Sequence, residues 1–200
     1  MPDEILHVQM LGDFSISSAT AAVSTGSGRS KKIWLLIARL LCRRGECVPP
    51  GELIDVLWGG SSRGNNPPNA LKTLFHRVRA LLDCLWEGAG HDLLLRQEGG
   101  YAWNPNVPIA VDADQFLALC QAASEAADEE TRLTYLLKAA ALYQGDFLER
   151  LSSEPWVQPI AAHCRRKYMD CAREAQRLLE ARSRWPAAAA LCRAAWKQDP

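Results

Sequence analysis

Residues 67 to 82, PPNALKTLFHRVRALL, read as a single helix with two unlike faces. At about 100° of rotation per residue, Leu71, Leu74, Phe75, Val78, Leu81 and Leu82 fall within an arc of roughly 120°, the width of a stripe that packs on a core. The opposite face carries Asn69, Lys72, Thr73, His76, Arg77, Arg79 and Ala80, and no carboxylate appears before Asp83. Asn66 suits the N-cap, and Pro67 suits a first turn in which a missing N–H costs nothing. Two uses fit such a helix. Either its basic face is simply solvated, or it lies against a polyanion.

The distribution of charge favours the second use. The chain of 200 residues has no net charge, but residues 29 to 82 hold ten Lys and Arg against Glu46, Glu52 and Asp55. Residues 109 to 200 hold twelve basic and thirteen acidic residues, so any polyanion-binding character belongs to the first half. An apolar content of 48% is enough for one large core or two small ones. The start, MPDEILHVQM, lacks the basic end and long apolar run of a signal peptide, and no stretch approaches the roughly 20 apolar residues that cross a bilayer. A cytoplasmic protein with no membrane partner is expected. Seven cysteines form no CxxC pair, and the four histidines are scattered, so reduced thiols acting as small hydrophobes are expected, with no metal and no cofactor.

Along the chain, residues 4 to 25 alternate apolar and polar positions around a turn at Gly12-Asp13, which predicts a small antiparallel strand set. A loop, GSGRSKK, leads to a helix of about 13 residues with Ile33, Leu36, Ile37, Leu40 and Leu41 inward, ended by Gly45. Pro49 and Pro50 open a short helix, GELIDVLW, with Leu53, Ile54, Leu57 and Trp58 inward, and the loop GGSSRGNN leads to the helix at 67 to 82. HDLLLRQEGGYAWN predicts a hairpin around Glu98, Gly99 and Gly100. The prolines of NPNVPIAVD suggest a joint between domains, and from Asp112 onward only helices are expected, over 114–127, 131–143, 160–182 and 186–197.

The second half also contains an internal echo, LKAAALYQ at 137–144 against LCRAAWKQ at 191–198. The last segment, SRWPAAAALCRAAWKQDP, resembles the second helix of a tetratricopeptide repeat, with Trp185, Ala188, Ala195, Asp199 and Pro200 near that motif's aromatic, small and Asp-Pro positions and Ser183 in place of its usual glycine. A repeat ending at Asp199-Pro200 leads us to expect that the chain continues past Pro200 and that its terminal helix exposes an apolar face. Trp156 and Trp185 are expected to fill the cores of helix pairs.

Taken together, LHVQMLGDFSIS, Lys32 followed by LLIARLLCRRGECV, ELIDVLW at 52–58, NALKTLFHRVRALL at 69–82, GGYAW at 99–103, VDADQF at 111–116, ALYQGDFL at 141–148 and EPW at 154–156 resemble bacterial transcriptional regulators of the SARP type. The resemblance implies an α+β winged helix-turn-helix domain of the OmpR type at 1–108, followed by an all-α tetratricopeptide-like bacterial transcriptional activator domain at 109–200. It also implies three departures. Trp34 stands where such proteins carry a basic residue, which implies a lost phosphate contact. Pro49, Pro50 and Gly51 replace a polar cap, and Glu98 places an acid at the hairpin tip.

In a winged helix the third helix lies in the major groove of double-stranded DNA, where each base pair presents a distinct set of donors and acceptors. Asn69, Thr73, His76 and Arg77 are then the candidates for base readout, and Lys31, Lys32, Lys72, Arg79 and Arg96 for phosphate contacts. Histidine titrates near neutrality, so readout by His76 would make affinity rise as pH falls. By resemblance, the loop with Ser61, Ser62, Arg63 and Asn65 corresponds to the segment with which such activators touch RNA polymerase. Self-association on an operator with direct repeats belongs to the same expectation. The competing reading is a repeat-type adaptor whose winged helix binds protein. An enzyme is disfavoured, because GSGRSKK lacks the spacing of a phosphate-binding loop and His163 and Cys164 would point about 100° apart on a helix.

Overall fold

The computed structural model describes residues 5–27, 30–59 and 66–198. In chain order the elements are β1 (Leu6–Gln9), β2 (Ser15–Ser17), β3 (Ala22–Ser24), α1 (Lys31–Cys42), α2 (Pro50–Trp58), α3 (Pro67–Leu82), α4 (Ala89–Leu93), β4 (Leu94–Gln97), β5 (Gly100–Trp103), β6 (Ile109–Val111), α5 (Asp112–Glu125), α6 (Glu129–Leu142), α7 (Gln158–Ala181) and α8 (Trp185–Gln198). One sheet has the order β3-β2-β1-β6, and β4 and β5 make a second. The chain divides into two units: Met1–His7 with Ser15–Ile109, and Val8–Phe14 with Ala110–Pro200.

The first unit is a helix-turn-helix with a wing. β2 and β3 pair antiparallel with Ile16 opposite Val23, both buried. α1 is its central helix and packs against α2, α3 and β5, so it is buried nearly all round: Trp34, Leu35 and Ala38 join the expected Ile33, Leu36, Ile37, Leu40 and Leu41. Trp34 is 2% exposed and belongs to the core, so its position cannot be one that faces phosphate. α2 starts at Pro50 despite the missing polar cap, with Leu53 N donating to Pro49 O at 3.2 Å. Leu53 and Leu57 are buried there, whereas Ile54 and Trp58 are half-buried, because a helix of nine residues at the edge of the unit covers only part of its stripe.

The wing differs from expectation at its base. His91 to Leu93 lie in the short helix α4 rather than in a strand, with Gly90 N donating to Asp83 Oδ1 at 2.8 Å. The strand begins at Leu94, and its register pairs Leu94 with Trp103 and Gln97 with Gly100, which leaves Glu98-Gly99 as the turn. Gly99 supplies the positive φ, +91°. Gly100 is required for a different reason: Val48, in the link from α1 to α2, pairs with Tyr101 through two backbone hydrogen bonds of 2.7 and 3.0 Å. A Cβ on Gly100 would lie 2.1 Å from Val48 O.

The second unit stacks α5, α6, α7 and α8 in sequence, at nearly the expected ranges. One of its cores gathers Ala123, Leu133, Leu136, Cys171, Ala175, Leu178, Leu179 and Ala188. Tyr143 stacks on Tyr168 at 4.3 Å and tilts against Phe116 at 5.6 Å. The turn between α7 and α8 is a Schellman motif, in which Arg184 N reaches Leu179 O, Ser183 N reaches Glu180 O, and Ser183 takes the left-handed conformation at φ +56°. Trp185 is 59% and Trp196 69% exposed, so Trp185 does not fill a core as expected; the two residues lie eleven apart on one side of α8. Trp156 is half-buried.

Three of the motifs that carry the family resemblance meet in this second unit. Asp112, from VDADQF, accepts from Met10 N at 2.7 Å and Leu11 N at 2.9 Å. Residues 145–148 of ALYQGDFL hold the same segment, with Gly12 N donating to Asp146 O at 3.0 Å and Leu148 N to Met10 O at 2.7 Å. A Cβ on Gly145 would lie 2.9 Å from Gly12 Cα, so the two backbones touch where neither residue has a side chain.

Candidate nucleic-acid interface

α3 spans Pro67–Leu82 and buries Leu71, Leu74, Phe75, Val78, Leu81 and Leu82, the stripe its sequence predicts. Asn66 caps it, its side chain accepting from Asn69 N at 3.2 Å, and two prolines occupy the first turn. The greasy face is anchored on the wing: Phe75 stacks on Tyr101 of β5 with ring centroids 3.8 Å apart. One face of the helix is thereby fixed, and the other is presented to solvent.

Asn69, Lys72, Thr73, His76 and Arg77 are all exposed on that other face. Thr73 Oγ1 donates to Asn69 O at 3.1 Å, a back-bond to the preceding turn. Arg79 behaves differently. It is half-buried, its Nη2 donates to Leu94 O at 3.1 Å, and a Cβ on Gly90 would lie 2.5 Å from the Arg79 backbone. It therefore ties α3 to the wing, a role hidden from a helical wheel because it depends on a partner fifteen residues away.

Among the other candidates, Lys31 is exposed at the start of α1, and Lys32 is half-buried with its Nζ 4.7 Å from the centre of the Trp58 ring. Arg96 is exposed on β4, opposite Tyr101 in the register, and Glu98 is exposed at the turn. Part of the basic excess is neutralised within the unit: Arg39 pairs with Glu52 at 2.7 Å, and Arg43 pairs with Glu46 at 2.6 Å and Glu52 at 3.5 Å. These pairs lie on α1, α2 and their link, and α3 itself carries no carboxylate. Ser61, Ser62, Arg63 and Asn65 lie outside the described residues.

Among the described residues, no group of three or more His, Cys, Asp or Glu is arranged to hold a metal ion, and no helix is long and apolar enough to cross a membrane. In the second unit, the Asp146 carboxylate is gripped by Arg165 and by the Tyr143 hydroxyl at 2.8 Å. Burial alone would raise Asp146, but these partners hold it below the ordinary carboxylate range.

Comparison with known proteins places these features. The profile of the bacterial transcriptional activator domain matches residues 111–200. The regulatory protein AfsR of Streptomyces coelicolor is 31% identical over 133 residues, which are 63% of this chain and 12% of AfsR. A solved structure of Mycobacterium tuberculosis EmbR in complex with a low-affinity phosphopeptide superposes with a TM-score of 0.74 at 20% identity, covering 94% of this chain and 49% of EmbR. The chain thus spans about an eighth of the curated relative and about half of the solved one. At that identity the EmbR likeness speaks for the fold, a winged helix-turn-helix followed by an all-α tetratricopeptide-like domain. Residues 111–200 thus match the bacterial transcriptional activator domain, and the chain is similar over 133 residues to a regulatory protein of the SARP type.

Proposed function

We propose that this chain is a SARP-type transcriptional regulator that binds double-stranded DNA in a sequence-specific manner through α3, and that it activates transcription by contact with RNA polymerase. The observation that carries the reading is the exposed, acid-free face of α3, presented by a helix whose opposite face is locked to the wing. A major groove admits such a helix, and Asn69, Thr73, His76 and Arg77 have the side chains that read base edges. Lys31, Lys32, Lys72 and Arg96 supply phosphate contacts. Arg79 is assigned instead to holding the wing, because its guanidinium is engaged by Leu94 O. On this reading residues 1–108 act as the DNA-binding part and 109–200 as a docking or regulatory part. Ser61, Ser62, Arg63 and Asn65 form the polymerase-contact loop, and copies assemble on direct repeats in the operator.

In vitro selection from a random duplex library tests the reading, with the His76→Ala, Arg77→Ala double variant beside the parent. A sharp motif obtained with the parent and lost in the variant supports base readout by α3, since a good bidentate contact discriminates by about 1–3 kcal/mol. Four phosphate contacts predict a log–log salt slope of about −3.6, at about −0.9 per phosphate. No enrichment, or binding indifferent to salt, overturns the proposal in favour of a protein-docking winged helix. Arg63→Ala separates the polymerase role: transcription falls with DNA affinity intact if the loop meets polymerase, and both fall if Arg63 meets phosphate.

A further inference from the structure

Outside the α3 face, the most reactive arrangement of side chains lies between α5 and α7. Cys120 Sγ and Cys171 Sγ stand 3.2 Å apart, closer than the roughly 3.5–4.0 Å at which carbon atoms pack. Cys171 is 6% exposed, within the core of the second unit. Cys120 is half-buried and, with Arg132, Lys167, Asp170, Cys171 and Glu174, lines an open cleft of about 340 Å³. A cleft of that size admits small solutes, since water occupies about 30 Å³ per molecule in the liquid.

We propose that Cys120 and Cys171 are an oxidant-responsive dithiol, with Cys120 as the attacking thiol and Cys171 as the resolving one, which closes to a disulfide when a hydroperoxide enters the cleft. The inference is independent of the DNA-binding reading. A disulfide bond is about 2.05 Å long, so closure draws the sulfurs together by about 1 Å, within the reach of side-chain rotation and a small helix shift. The division of roles follows first from access: Cys120 is half-buried at the cleft, whereas Cys171 lies within the core. With Cys171 as the donor, the bond between the two thiols favours the Cys120 thiolate and lowers its pKa against the effect of burial, with help from the Lys167 charge. The same bond, together with burial, pushes Cys171 up and keeps its proton in place. An accessible thiol with a lowered pKa beside a resolving thiol is the pairing that redox-sensing cysteines use.

The chemistry closes without further components. The Cys120 thiolate attacks the near oxygen of hydrogen peroxide: the S–O bond forms, the O–O bond breaks, and the departing hydroxide takes a proton to become water. Cys171 sulfur then attacks the sulfenic sulfur, forming S–S and breaking S–O, and the second water carries away the Cys171 proton. Two thiols lose two electrons, and one peroxide gains them. The product ties together two walls of the cleft, across a chain separation of 51 residues.

The remaining cysteines provide internal controls. Burial pushes the thiols of Cys42 and Cys164 up to about 11, which leaves them unreactive near neutrality. Cys84 is exposed on another unit, near the end of α3. The test is peptide mapping of the whole chain after a few equivalents of hydrogen peroxide, without reductant. We expect a Cys120–Cys171 cross-linked peptide lighter by two hydrogens, its disappearance with dithiothreitol, and a rise in Tm of the oxidised chain of several degrees. Cys171→Ser is expected to stop at a sulfenic acid on Cys120 that dimedone traps, and Cys120→Ser to show neither product nor Tm shift. The mapping needs no variant, so a poorly folding mutant does not shield the proposal. Oxidation at Cys84 with Cys120 and Cys171 still alkylatable, or a Cys120–Cys164 link, overturns it.

Discussion

The ring of Tyr101 lies on the ring of Phe75, with centroids 3.8 Å and planes 19° apart, so that the wing and the basic helix share one aromatic contact. Phe75 is buried by this contact while its neighbour His76 is exposed. The stack therefore sets which way the polar face of α3 points. Tyr101→Ala should destabilise the first unit by about 2 kcal/mol, from lost area and from a stacking contribution of roughly 0.5–1.5 kcal/mol. Tyr101→Phe keeps the ring and should stay within about 0.5 kcal/mol of the parent. Urea unfolding measures both, and equal losses would shift the credit from the ring to the hydroxyl.

The two glycines of the wing turn should respond differently to alanine. At Gly99 the side chain would meet open space but would force an L-residue into φ +91°, a cost of about 1–2 kcal/mol. At Gly100 the new Cβ would sit 2.1 Å from Val48 O, and the wing would have to part from the link between α1 and α2. Gly100→Ala should thus cost about 3 kcal/mol, at the upper end of overpacking losses. It should also speed amide exchange at Val48 and Tyr101. Protection at those two amides that outlasts the substitution would contradict the account.

Asp146 predicts how the second unit responds to acid. Because Arg165 and Tyr143 hold this carboxyl lower in the folded chain than in the unfolded one, its stabilising effect is complete above the unfolded value of about 3.9 and is lost as pH falls through the folded value. The Tm of the parent should exceed that of Asp146→Asn by a constant amount between pH 5 and pH 7, and the gap should narrow below about pH 4. A gap that persists unchanged down to pH 2 would mean that the charge contributes nothing.

Ser183 occupies the position of the Schellman motif that glycine prefers, at φ +56°. Ser183→Gly should raise stability by about 0.5–1 kcal/mol, the left-handed penalty less the extra entropy glycine loses on folding. Differential scanning calorimetry measures the shift, and a lower Tm would show that the serine side chain contributes more than its backbone strain costs.

Where one face of an element decides its packing, the sequence was readable. The stripe of α3, its Asn66 cap and the order of α5 to α8 all follow from periodicity or capping chemistry. α1 is surrounded, so Trp34, Leu35 and Ala38 are buried beside the five positions that helical periodicity marks. Pairing by one or two residues leaves no periodic trace, which hides the Val48–Tyr101 bridge and the strand β6 in a segment read as a joint. Of the candidate interface, five exposed polar residues of α3 stand where the wheel puts them, while Arg79 is drawn inward by a carbonyl in another element. Trp185 and Trp196 show the limit of composition, since a large apolar side chain signals packing without naming the surface it packs on. The proximity of Cys120 and Cys171 is purely three-dimensional, two helices meeting across 51 residues.

The segment Met10–Gly12 also bears on how the chain is made. The amides of these residues wait for the Asp112 carboxylate and the Asp146 carbonyl, which are synthesised more than a hundred positions later. Such long-range closure is slow compared with forming a helix pair, so α1 to α3 have time to assemble while the preceding segment is still without its acceptors. A domain expressed from residue 110 onward lacks the segment that fills this place. It would carry Asp112 and the backbone beside Gly145 exposed, like a socket without its plug, and should associate with a synthetic peptide of residues 6–16 supplied in trans.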